Sequence, residues 1–212
     1  MLGRDKVKHL KIDSRGFTII ELMVVLVIVA VLATIAGPSF KDSIERNRRL
    51  STMEQAVAIL NHARTEAVSR SAQVRVCPST DSDACRLGSN DWTPGVIAFV
   101  DDGGATGCAT AGDGLWDNTD DPPCEAGIRV VSSFSSTINV YGPDPNSPLE
   151  SAIIFNPDGG AEQLGSIRFC NDDNNENRAS AIIVGVSGQL RIALDSSGNG
   201  VVEDNTGDIA CE

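Results

Sequence analysis

The chain has 212 residues, 41% of them hydrophobic and 22% charged, with a formal net charge of −12. Such a composition suits a folded chain with room for one domain core beside a membrane-length segment, and it excludes a low-complexity disordered polymer. The acid excess also disfavours non-specific nucleic-acid binding, where phosphate neutralisation dominates affinity. Residues 1–16 form a basic leader, in which Arg4, Lys6, Lys8, Lys11 and Arg15 outnumber Asp5 and Asp13. Residues 17–36 follow as an apolar run whose only charge is Glu21. About twenty helical residues span about 30 Å, the thickness of a hydrocarbon core. Basic residues lead and acidic sequence follows, so the positive-inside rule leaves the N-terminus in the cytoplasm and sends the remainder across. A secretory signal has a shorter apolar region with a small-residue cleavage site behind it. A plain anchor explains length and flanks but not Glu21, because a carboxylate costs about 2.5–3.5 kcal/mol at the bilayer centre.

The stretch Gly16-Phe17-Thr18-Ile19-Ile20-Glu21, leading into an apolar helix, resembles the processing motif of type IV pilins and type II secretion pseudopilins. The resemblance implies that a membrane peptidase cuts between Gly16 and Phe17 and that the new N-terminus at Phe17 is N-methylated. It also implies that Glu21 matters for assembly. Cleavage would create an amine about one helical turn from Glu21. A neighbouring subunit's amine could then pair with this carboxylate and offset the burial of both charges. Gly37-Pro38 next predicts a kink or local break, since proline removes a helix hydrogen bond.

Residues 37–71 predict an amphipathic continuation of the helix. Leu50, Met53, Val57, Leu60, Ala63 and Ala67 recur at three- and four-residue spacing, which sets them on one face. The basic cluster Arg46, Arg48 and Arg49 reads as a solvated face, or as a contact for lipid head groups or an acidic neighbour. From residue 72 to 212 the pattern changes to short β-rich runs between Gly, Pro, Asp and Asn. Candidate strands are 74–77, 95–100, 128–134, 138–141, 152–156, 166–170, 181–186 and 189–194, with a hairpin around Gly188. The fold class is therefore α+β: a long N-terminal helix, transmembrane in its first half and amphipathic in its second, packed on a C-terminal antiparallel β domain. The resemblance implies that this domain is periplasmic and that the anchor lies in the inner membrane.

All six cysteines follow the apolar run, which fits an oxidising compartment. No C-x-x-C occurs, and the only histidines are His9 and His62, so disulfides are favoured over zinc. Chain order suggests Cys77–Cys85, Cys108–Cys124 and Cys170–Cys211, although six cysteines allow fifteen connectivities. Asp195, Ser197, Asn199 and Glu203 partly follow a calcium loop, with Gly200 at its glycine position. Thr206 stands where the loop's bidentate glutamate belongs, so an acidic turn is the favoured reading. Asp113, Asp117, Asp120 and Asp121 form a second oxygen-rich loop of the same kind. No cofactor is expected. No nucleophile with a base partner emerges, and the chain reads as non-enzymatic.

Within the family, "ERNRRLSTMEQAVAILNHARTEAVSRSAQVRVCPS", "WTPGVIAFVD", "IIFNPDGG" and "FC" resemble the minor-pilin and pseudopilin H branch. That resemblance implies a minor pilin that helps initiate or cap a type IV pilus. The alternative is the H-type pseudopilin of a type II secretion system. The implied partners are other minor and major pilins or pseudopilins, met through the N-terminal helix, and the prepilin peptidase and methyltransferase. Some relatives bind DNA through a Gly-Arg-x-Arg pattern. Here the stretch is Gly188-Gln189-Leu190-Arg191, which keeps one arginine, so nucleic acid ranks last.

Overall fold

The computed structural model describes residues 16–81, 85–86, 88–101, 127–131, 133–135, 137–143, 152–162, 165–204 and 207–211. Residues 1–15 of the leader, Cys108, Cys124, the four aspartates from Asp113 to Asp121, and Thr206 lie outside them. Helix α1 runs from Ile19 to Arg70. The chain divides into two compact units, one ending at Ser43 and the other starting at Ile44.

In the first unit α1 is apolar and uncovered. Ile19, Leu22, Val25, Val29 and Leu32 are all exposed. The helix continues through Gly37 and Pro38 rather than ending there. Proline forfeits one backbone hydrogen bond, and the turns on either side carry the helix across that gap.

The second unit joins the rest of α1 to eight strands. These are β1 (Val74–Pro78), β2 (Val96–Val100), β3 (Gly127–Val131), β4 (Ile138–Tyr141), β5 (Ile153–Phe155), β6 (Gly165–Asn171), β7 (Ser180–Val184) and β8 (Leu190–Ile192). They form two four-stranded sheets in the orders β3-β2-β1-β5 and β4-β6-β7-β8. The pairings β1–β2, β1–β5, β2–β3, β4–β6, β6–β7 and β7–β8 are all antiparallel. The fold is thus α+β.

One face of α1 packs into the main core with both sheets. Met53, Ala56, Ile59, Leu60, Ala63 and Ala67 meet Val74, Val76, Val96, Ala98 and Phe155 of the first sheet and Val140, Ile167, Phe169, Ile182 and Val184 of the second. The expected stripe is corrected at four positions. Leu50 is exposed and Val57 only partly buried, while Ala56 and Ile59 are buried. The series 53-56-60-63-67 keeps to the 3.6-residue period, and Ile59 widens it. Leu50, exposed, lies outside this core.

Strands β1 and β2 are buried at every position. Successive side chains leave opposite faces of a strand. Val74, Val76, Val96 and Ala98 therefore face α1, while Cys77, Ile97 and Phe99 join Cys85 and Ala152 in a smaller cluster. Arg75, also on β1, meets Asp101 at 2.7 Å in a buried pair. Cys77 is bridged to Cys85. The second sheet has its own outer cluster, where Cys170, Ala181, Ile183 and Ala193 lie beneath Ile209 and Cys211. The Cys170–Cys211 bridge ties the chain end to β6.

Residues 195–203 form a turn that satisfies its own backbone. Asp195 accepts the N–H groups of Gly198, Asn199 and Gly200, and Glu203 accepts those of Ser196 and Ser197. Hydrogen bonds from Ser197 and then Ser196 pull the Glu203 carboxyl down to about 2.

Two outcomes follow from this packing. In urea unfolding of the full chain in detergent, Leu60→Ala should cost about 2–5 kcal/mol. Leu50→Ala should stay within about 0.5 kcal/mol, as for an uncovered position; equal losses would contradict the stripe drawn here. Glu203 is held below its ordinary value of 4.5, so its contribution to stability is present above that value. The contribution is lost as pH falls towards about 2. The stability difference between the natural chain and Glu203→Gln should therefore shrink over that window, read from urea midpoints at each pH.

Candidate functional site

Gly16 and Phe17 lie just before α1, and Glu21 lies in its first turn. Gly16 has open space around its Cα, and Phe17 is 87% exposed. Thr18 stands just before the first helical residue, and Glu21 is the third residue of the helix. The Glu21 amide donates to the Thr18 hydroxyl at 3.2 Å. The Glu21 carboxylate in turn accepts the Thr18 amide at 3.2 Å and the Thr18 hydroxyl at 3.1 Å. This reciprocal pair is a capping box, which satisfies two N-terminal donors that the helix itself leaves unpaired. A carboxylate at a helix N-terminus is also favoured by the helix dipole. The Thr18-x-x-Glu21 spacing carries this signal in the sequence, beside the docking role that the resemblance implies for the acid.

Among the described residues no helix is long and apolar enough to cross a membrane. The described side chains of the apolar part stop at Thr34, whereas the sequence continues the run through Ile35 and Ala36.

Arginines carry a second set of contacts that the sequence did not reveal. Arg49 donates from Nε to Ser180 Oγ at 3.2 Å and from Nη1 to Asn171 Oδ1 at 3.0 Å. Burial, and then the neighbouring cations Arg46 and Arg178, lower its proton affinity. Arg48 reaches Thr137 Oγ1 at 3.5 Å. Two members of the basic cluster therefore tie α1 to the second sheet and its approach. Arg64 does the same farther along, donating to Gly159 O at 2.8 Å and Ser187 O at 3.0 Å. A side chain at Gly188 would collide with the Gly159 carbonyl, and its φ of +70° lies in the left-handed region that favours glycine.

The calcium candidate is placed on the turn described above. Asp195 and Glu203 use their oxygens on backbone N–H groups, and Asn199 donates to Asp208 at 2.8 Å. Among the described residues no three His, Cys, Asp or Glu side chains converge in a way that could hold a metal ion.

Residues 12–37 match the prokaryotic N-terminal methylation motif, and residues 52–188 match the family profile of type II transport protein GspH. The type IV major fimbrial protein FimA of Dichelobacter nodosus is 26% identical over 122 residues, covering 57% of this chain and 67% of that protein. Among solved structures, the type IV minor pilin FimU of Pseudomonas aeruginosa is 17% identical with a TM-score of 0.49, covering 79% of this chain and 98% of the other. The minor pseudopilin EpsH of the Vibrio cholerae type 2 secretion system is 11% identical with a TM-score of 0.41, covering 69% of this chain and 96% of the other. The GspH match takes in more than half of the residues, and it lies on α1 and the two sheets that α1 holds: the chain belongs to the GspH family.

Proposed function

We propose that the chain is a non-enzymatic structural subunit, a minor pilin that helps initiate or cap a type IV pilus. The observation that carries this reading is the start of α1. A methylation motif leads into an uncovered apolar helix that opens on Gly16-Phe17 and holds an acid in its first turn. In this reading residues 17–36 anchor the subunit in the inner membrane as a single span. The leader lies in the cytoplasm and the body from residue 72 in the periplasm, until the helix moves into a filament of like subunits. Apolar side chains in a membrane meet lipid at no cost, and the same side chains supply contact area for neighbouring helices. The GspH match supports a second reading, the H-type pseudopilin of a type II secretion system. Both readings use the same processing and the same helix. Loss of the gene should remove surface pili in the first case and exported proteins in the second.

Processing is tested at Gly16. Replacing it with a bulky residue should leave the leader attached, and mass spectrometry of the natural protein should find an N-methylated Phe17 as first residue. An intact Met1 terminus in cells that possess the peptidase would sink the proposal.

Glu21 has to be tested against its own capping box. Glu21→Gln keeps an oxygen that can accept from Thr18, so it retains the cap while losing the charge. Glu21→Ala loses both. If the charge docks a neighbour's amine, both variants should be processed normally and both should be depleted in sheared filaments relative to membranes. If capping is the whole role, Glu21→Gln should enter filaments like the natural chain.

A further inference from the structure

We propose that the open edge of the second sheet, at β8, takes an extended segment of another protein as a fifth strand, and that this segment alternates apolar and acidic side chains. The inference goes beyond the filament reading and does not depend on it. Gly185 N donates to Gln189 O at 3.0 Å, and Ala193 N donates to Ala181 O at 2.9 Å. With Ile183 opposite Arg191, these pairs direct the backbone groups of Gln189, Arg191 and Ala193 towards β7. The N–H and C=O of Leu190 and Ile192 therefore point away from the sheet, and no described residue pairs with them. The next outward position is already in use: Leu194 O accepts Glu203 N at 3.1 Å. The chain's own C-terminal stretch thus starts an added strand at this edge and leaves Leu190–Ile192 uncovered.

The side chains define what would fit. Leu190, Ile192 and Leu194 share one face by the pleat, in register with core residues of β7. Leu190 is half-buried, but Ile192 is 59% exposed and Leu194 70%. Between this edge and α1 lies a groove of about 380 Å³ with Val57, Asn61, Ile182, Leu190 and Ile192 in its lining. Its charged lining residues are Arg64 and Arg191, with no carboxylate among them, on a chain whose acids outnumber its bases by 29 to 17. Arg64 is committed to carbonyl oxygens. Arg191 borders the groove at the strand edge, but the pleat sends its side chain to the face opposite Ile192; it is exposed and has no ion-pair partner among the described residues. A strand laid along this edge would place alternate residues against the Leu190–Ile192 stripe and the others beside Arg191. Main-chain bonds supply affinity in such strand addition, and alternate side chains supply specificity. An exposed apolar edge left open in a folded domain is otherwise a liability that proteins cover or charge.

The test uses the full chain in detergent and a fluorescent heptapeptide alternating Val and Glu. Three comparison probes are the same peptide with Lys for Glu, the same peptide fully N-methylated, and a duplex DNA 20-mer. The Val/Glu peptide should bind, and the Leu190 and Ile192 amides should gain protection in hydrogen exchange. Arg191→Glu, and the Lys peptide on the natural chain, should each weaken binding by about tenfold or more, the loss typical of a reversed charge pair. N-methylation of the peptide should abolish binding, as should Ile192→Pro, which removes an outward donor; the N-methylated peptide gives this answer even if the proline variant fails to fold. No binding, equal binding of the N-methylated peptide, or unchanged exchange at Leu190 and Ile192 would overturn the proposal. It would also be overturned if the DNA bound through Arg191 and displaced the peptide.

Discussion

Both sheets are held by one strip of α1. Ala56, Ala63 and Ala67 are the small buried residues of the helix face, and Ile59 and Leu60 are its large fully buried ones. Among the described residues the two sheets have separate strand orders and share no ladder. Their common attachment is this core, where Val76 and Phe155 from one sheet and Phe169 and Ile182 from the other meet the same helical face. Fully burying an aliphatic side chain contributes about 1.5–3 kcal/mol relative to exposure. A handful of such residues on one helix therefore decides whether the body has one core or two loose sheets.

The polar contacts around that strip follow the same logic. A buried guanidinium needs acceptors, and a loop carbonyl turned inwards needs donors. Arg64 meets Gly159 O and Ser187 O, so it holds two turns from different sheets against one helix. Arg168 donates to Ala210 O and Gly142 O and lies over the Tyr141 ring, which fastens the chain end to β4 and β6 beside the Cys170–Cys211 bridge. Each arginine answers backbone carbonyls of the turns or chain end beside it.

Much of this was legible in the sequence because it depends on period. The strand runs showed themselves by β-rich composition between turn residues, and the helix by its three- and four-residue spacing. The partition into two sheets was not legible. β1 pairs with β5 across more than half of the body, and periodicity does not name a strand's partner. The tilt of the buried stripe, away from Leu50 and towards Ala56 and Ile59, depends on where the sheets end, which again is a tertiary fact. At the helix start the acid is legible as the one charge in an apolar run, and Thr18 and Glu21 sit at the capping-box spacing that the structure realises.

That local partner changes the energetics of assembly. An acid in lipid without partners would be neutralised or displaced towards water. Glu21 instead accepts from both the amide and the hydroxyl of Thr18, so the lone subunit already satisfies part of its charge. A neighbour's Phe17 amine that docked here would compete with those two bonds rather than fill an empty site. The gain from the proposed docking would then be the difference between a charge-assisted pair and the cap it disturbs, smaller than the full value of either. Thr18 also retains its backbone role at the helix start whichever partner holds the carboxylate. In the proposed assembly, a threonine between Phe17 and the helix would therefore serve both states: it would keep the acid tolerable beforehand and leave it exchangeable when a cation arrives.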